Sequence, residues 1–286
     1  MLSGVLTALV TPMLDSKIDE KSFRKLLKTQ IGSGVSGVIV AGTTGESPVL
    51  SDDEFKLLIE VALGEVGDKI KVFAGVGSCD TTKAAAKTKL AHNLGVDGML
   101  AVTPYYNKPT QSGLIEYYDK IADSTDKPII LYSVPSRTGV EIAVNSAKIL
   151  HEKHKNIVAI KEASENCGRV EQLANLFNKN FSVLSGNDSM TLPFMSLGAT
   201  GVVSVVSNVK PREMSEVTSL ALAGNFKESL KKYRPLIPII NNLFIETNPL
   251  PIKYALEKSG IISSSECRSP LGHLQDSSKV ILSSLF

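Results

Sequence analysis

Lys161 ends the apolar run Asn156-Ile-Val-Ala-Ile-Lys161 and is followed by Glu162-Ala163-Ser164, which puts its amine where a buried strand gives way to a loop. Lysine condenses with carbonyl groups to form Schiff bases, yet at an ordinary pKa of ~10.4 only about one amine in a few thousand is neutral at pH 7. A dry pocket disfavours the ammonium and makes such an amine a usable nucleophile. The alternative is a lysine that merely opens a solvated loop, and the neighbouring motifs bear on the choice.

Ala41-Gly42-Thr43-Thr44-Gly45-Glu46-Ser47 follows another apolar run. Its glycines permit tight turns, while Thr43, Thr44 and Ser47 offer hydroxyls and amides to a carboxylate or a proton relay. In Pro128-Ile-Ile-Leu-Tyr132-Ser-Val-Pro135-Ser-Arg137-Thr-Gly139, Tyr132 stands at a run's end and can shuttle protons. Arg137 lies in the next loop and can clamp a carboxylate. Thr103-Pro104-Tyr105-Tyr106-Asn107-Lys108-Pro109 sets two aromatics in a proline-framed loop, suited to an interface or to anchoring the loop. Ser185-Gly186-Asn187-Asp188 and Gly201-Val202-Val203-Ser204 add small residues where a ligand can approach the backbone closely. Singly, each has an ordinary packing or solvation explanation.

The elements that must position these groups alternate along the chain. Strands are expected at Val5–Val10, Gly37–Ala41, Lys71–Val76, Gly98–Val102, Pro128–Tyr132, Ile157–Ile160, Ser182–Leu184 and Gly201–Val205, with helical segments between. One such segment opens with Ser51 and Glu54 spaced as a capping box. Regular alternation implies parallel strands joined by right-handed crossovers, and eight units close a (β/α)8 TIM barrel. A doubly wound sheet is the alternative. In the barrel, the candidate groups after strands two, four, five, six and seven share the face where such barrels carry their chemistry. After Gly224 the strand signal stops, and Asn225–Asn242, Pro249–Ser259 and Pro270–Phe286 read as helical, broken up by prolines. The expected organisation is therefore a barrel over 1–224 and a C-terminal helical appendage over 225–286.

With 43% hydrophobic and 21% charged residues, the 286-residue chain has the composition of a folded globular protein. A net charge of +2 with interspersed signs gives no nucleic-acid footprint, and no apolar run reaches membrane-spanning length. Cys79, Cys167 and Cys267 form no disulfide or zinc spacing, in keeping with a reducing, cytoplasmic setting. Gly32-Ser-Gly34-Val-Ser-Gly37 spells a dinucleotide motif but precedes its strand, the reverse of the required order. His151-Glu-Lys-His154 lacks an adjacent third ligand and reads as a solvated helix end.

The motifs Gly42-Thr-Thr-Gly-Glu-Ser47, Tyr105-Tyr-Asn-Lys-Pro109, Tyr132-Ser-Val-Pro-Ser-Arg-Thr-Gly139 and Ile160-Lys-Glu-Ala-Ser164 resemble, in order and spacing, those of the dihydrodipicolinate synthases. These are pyruvate-dependent class I aldolases related to N-acetylneuraminate lyase. Arg137 resembles the synthase branch, where it meets a substrate carboxylate. The resemblance implies that Lys161 forms an imine with pyruvate, and that the derived enamine attacks L-aspartate 4-semialdehyde. It implies 4-hydroxy-tetrahydrodipicolinate as product, no cofactor or metal, and a homotetramer built as a dimer of dimers. By the same resemblance Thr43, Tyr106 and Tyr132 form a proton relay in which one tyrosine comes from a neighbouring subunit. Thr44 and the backbones of Gly186 and Val203 match the pyruvate-binding set.

In relatives inhibited by lysine, the resemblance places the effector beside the equivalents of Ser47 and Tyr105, which are kept here. Cys79 and Lys83 stand where an asparagine and a glutamate are expected, and Asp52 and Phe55 at histidine positions. Lysine inhibition is expected to be weak or absent. Two further readings stay open at this level: a sugar-acid or neuraminate lyase, and a silent barrel that only binds a keto acid.

Overall fold

In the computed structural model, which describes residues 1–176 and 180–286, eight parallel strands close into a barrel in sequence order. They span Gly4–Ala8, Gly37–Val40, Lys71–Gly75, Gly98–Val102, Ile129–Ser133, Ile157–Glu162, Ser182–Ser185 and Gly201–Ser204. The first and last strands pair Gly4 with Gly201 through Thr7 with Ser204, which shuts the ring. The closed barrel, not the doubly wound sheet, is the fold.

Side chains of successive strand residues point to opposite faces. Val5, Val38, Val40, Met99, Ile129 and Leu131 pack outward against helices, while Leu6, Ile39, Leu100, Ile130 and Tyr132 fill the barrel. Two-sided burial is why these strands read as continuous apolar runs. The same alternation along the sixth strand puts Ala159 inside and Ile160 outside, so Lys161 points inward. Glu162 points outward, fully buried, to the Arg169 guanidinium, which donates from Nε at 2.7 Å.

Local signals set the helix boundaries. The Ser51–Glu54 capping box forms with both of its bonds and starts Asp52–Val66. A short hairpin, Met13–Leu14 with Lys17–Ile18, was not expected from the sequence. Its turn takes Asp15 and Ser16 to positive φ, a conformation that Asp tolerates better than most residues. The appendage is a series of short helices, Phe226–Tyr233, Ile237–Asn242, Leu250–Lys258 and Asp276–Ser283, as its prolines foretold. Its apolar residues Ile239, Ile240, Leu243 and Ile252 join the core that the barrel helices share. No described helix is long and apolar enough to cross a membrane.

Candidate active site

The C-terminal ends of the strands surround a cavity of ≈ 520 Å³. Lys161, 5% exposed, reaches it from the sixth strand, and Tyr132 lies in register beside it on the fifth. The amine sits 4.0 Å from the centre of the Tyr132 ring. Thr43 and Thr44 enter from the loop after the second strand, Arg137 from the loop after the fifth, and Gly186 from the end of the seventh. A Cβ at Gly186 would lie 2.6 Å from the Cβ of Ala163, so only glycine lets the two strand ends approach this closely.

The threonine loop is held from several directions. Ala41 and Glu46 bracket it at positive φ, and Thr11 donates its hydroxyl to the Gly45 carbonyl at 2.7 Å. The carboxylate of Glu46, 2% exposed, accepts from the ammonium of Lys253, which is 0% exposed, and from the Arg268 amide at 2.8 Å. A buried carboxylate needs such partners, because leaving it unpaired would cost several kcal/mol. The appendage thus pins the loop that carries Thr43 and Thr44.

In the segment after the seventh strand, Asp188 is buried and accepts from the Val205 and Val206 amides at 2.9 and 3.1 Å. Burial pushes its carboxyl upward, against the Ser204 hydroxyl and those amides. Tyr233 of the appendage donates to the Asp188 carbonyl at 2.8 Å.

Two residues singled out in the sequence do not line this cavity with their side chains. Tyr106 is 93% exposed, with φ 75°, and does not line the cavity of its own chain. Val203 packs inside the barrel with Tyr132 and Leu184, and Val205 is the neighbour that reaches the cavity. Sequence reasoning missed Asn248 and Phe244, which the appendage adds to the lining, and Glu165, which accepts from Asn187 of the expected loop after the seventh strand at 3.0 Å. No motif marks Asn248 or Phe244, because they come from a segment with no strand whose end would locate them. The described residues contain no cluster of His, Cys, Asp or Glu able to hold a metal ion.

A second cavity of ≈ 430 Å³ is lined by Ser47, Asp52, Cys79, Lys83 and Tyr105, all named from the sequence, and by Lys87, which was not. Phe55 lies outside this lining, fully buried, with the Lys87 amine 4.5 Å from its ring centre. Burial pushes the Lys87 ammonium pKa down, and Asp52 acts against it.

The chemistry this arrangement allows is carbonyl capture: a buried amine, an adjacent phenol, two threonine hydroxyls and a guanidinium about one cavity. The model of the dihydrodipicolinate synthetase family matches residues 1–285. The 4-hydroxy-tetrahydrodipicolinate synthase of Leptospira biflexa is 46% identical over 276 residues, 96% of this chain and 93% of its own. Among solved structures, the 4-hydroxy-tetrahydrodipicolinate synthase of Methylacidiphilum fumariolicum superposes with a TM-score of 0.97 at 45% identity, covering 100% of this chain and 95% of that one. A chloride-inhibited dihydrodipicolinate synthase of Acinetobacter baumannii, complexed with pyruvate, gives 0.96 at 38% identity and covers 100% and 98%.

Proposed function

Since the chain belongs to the dihydrodipicolinate synthetase family, we propose that it condenses pyruvate with L-aspartate 4-semialdehyde to 4-hydroxy-tetrahydrodipicolinate, a lyase-class step of the diaminopimelate route to lysine. One observation carries the reading: the Lys161 amine is buried on the inner face of the barrel, against Tyr132 and at the wall of a cavity large enough for both substrates.

Neutral Lys161 adds to the pyruvate C2 carbonyl, and loss of water leaves a protonated imine. That imine is an electron sink, so C3 gives up a proton and becomes an enamine carbon. The enamine attacks the aldehyde carbon of the second substrate, whose oxygen takes up a proton. The amino group of that substrate then adds to C2 and releases the Lys161 amine, closing the ring. Tyr132, Thr43 and Tyr106 carry the protons. Thr44 and the backbones of Gly186 and Val203 hold pyruvate, and the Arg137 guanidinium takes the carboxylate of the aldehyde in a charge-assisted, two-pronged contact.

Tyr106, exposed on its own chain, serves the site of a neighbouring copy, so the active form is an oligomer, a dimer of dimers. Residues 1–224 act as the catalytic barrel and 225–286 complete its rim. Balanced charge suits small metabolites as substrates, and a biosynthetic enzyme of this family is placed in the cytoplasm.

Borohydride reduction in the presence of pyruvate, followed by peptide mass analysis, tests the covalent step. The pyruvyl mass is expected on the Lys161 peptide and absent in Lys161→Arg, whose guanidinium cannot act as the nucleophile. Turnover with aspartate semialdehyde but not with sugar acids separates this reading from a sugar-acid lyase. Failure of the wild-type protein to trap pyruvate rejects the mechanism and leaves a binding barrel.

A further inference from the structure

Asn248 lies between the helices Ile237–Asn242 and Leu250–Lys258 and is 6% exposed at the cavity wall. Its Nδ2 donates to Thr44 Oγ1 at 2.9 Å, across 204 positions of sequence. An amide nitrogen can only donate, so in this bond the threonine oxygen is the acceptor. The Thr44 hydroxyl hydrogen is left for a third partner, and no other hydrogen bond involves it among the described residues. Asn248 Oδ1 has no partner. A buried carboxamide with an idle acceptor costs stability that an apolar side chain would not, so the fold alone gives no reason for this group.

We propose that Asn248 is a positioning residue that orients the Thr44 hydroxyl to donate its hydrogen to the carboxylate of the bound 2-oxo acid. Its backbone carbonyl also accepts from Arg137 Nη2 at 3.3 Å, a contact that substitution of the side chain leaves in place. The side chain thus serves the 2-oxo acid, while the main chain steadies the group assigned to the aldehyde. This inference rests on the reading that Lys161 captures a 2-oxo acid at Thr44.

The test compares Asn248→Ala with Asn248→Asp. Asn248→Ala frees the threonine, and KM for pyruvate rises about tenfold, the value of one hydrogen bond to a charged group. Asn248→Asp keeps the shape but reverses the bond: the carboxylate takes the Thr44 hydrogen and sets a negative charge beside the anionic substrate. Its KM for pyruvate should rise beyond that of Asn248→Ala and fall back as pH is lowered and the introduced acid regains an O–H. KM for the aldehyde should move by less than about threefold in both, since Arg137 keeps its carbonyl partner. In a Thr44→Val background, Asn248→Ala should change nothing further.

A near-isosteric Asp milder than Ala, parallel rises in both KM values, or additive effects in the Thr44→Val background would each make Asn248 a packing residue and overturn the proposal. Borohydride trapping of pyruvate by the wild-type enzyme is the separate control: its failure rejects the underlying reaction, whatever the variants do.

Discussion

Tyr132 and Lys161 occupy register-matched positions on adjacent parallel strands, and the Lys161 Nζ stands 4.0 Å from the centre of the Tyr132 ring. The ring face walls off water on one side of the amine, and the same side chain brings a phenol beside it. Packing and proton transfer are therefore separable by one atom. Tyr132→Phe keeps the ring, so borohydride trapping should persist while turnover falls about 10²-fold, the usual range for losing a proton-transfer group. Equal loss of trapping and turnover would show that the hydroxyl matters for forming the imine itself.

Tyr106 has almost no contact with its own chain, so removing its hydroxyl should leave stability within about 0.5 kcal/mol of wild type. If it completes a neighbour's site, Tyr106→Phe should still reduce turnover by roughly 10²-fold. Mixing subunits carrying Tyr106→Phe with subunits carrying Lys161→Arg should then restore activity, because some sites draw an intact lysine and an intact tyrosine from different chains. No recovery in verified mixed oligomers would place the tyrosine's role within a single subunit.

The second cavity sets Lys83 and Lys87 beside Ser47 and Tyr105, and Lys87 already donates to the Ser47 hydroxyl at 3.2 Å. An incoming lysine ligand would bring its ammonium towards two amines, with Asp52 the one acid lining the cavity among the described residues. Titration of initial rates with L-lysine should give half-inhibition only above about 1 mM, roughly 4 kcal/mol of binding. Lys83→Glu should increase sensitivity. Tight inhibition of the wild-type enzyme would show that another group neutralises this cavity.

Arg268 grips Glu54 through both terminal guanidinium nitrogens. This bond, aided by the Ser51 amide and opposed by burial, lowers the Glu54 carboxyl from 4.5 to about 2. A pKa that is lower in the folded state stabilises the protein fully above the unfolded value of 4.5, and that contribution is lost as pH falls from there through about 2. The pair is 19% and 24% exposed, so water screens it and its worth is about 1 kcal/mol. Urea unfolding should find Glu54→Gln less stable by about that amount at pH 7, with the gap closing on acidification between 4.5 and 2. Glutamine still suits the capping position, so a gap that does not change with pH would deny the charge any part.

Much of the site was legible because strand periodicity is local. The run ending at Lys161 fixed which residues alternate across the sixth strand, and the eight-fold recurrence fixed that Thr43, Thr44, Tyr132, Arg137 and Gly186 share one face. The adjacent Tyr105 and Tyr106 were not separable in this way. Tyr105 lines the second cavity while Tyr106, at φ 75°, is exposed, a difference in a loop that strand periodicity does not reach.

The sequence by itself placed Lys161 and the candidate groups around it at the strand ends of an expected barrel, because strand positions follow from the apolar pattern within a few residues. Only the tertiary structure decided that Asn248 meets Thr44 and that Lys253 neutralises Glu46, contacts 204 and 207 positions apart. Burial obliges each such polar group to find a partner, but which partner is fixed by how the C-terminal helices settle on the barrel rim. That docking depends on surfaces complete only after the ring of strands has closed.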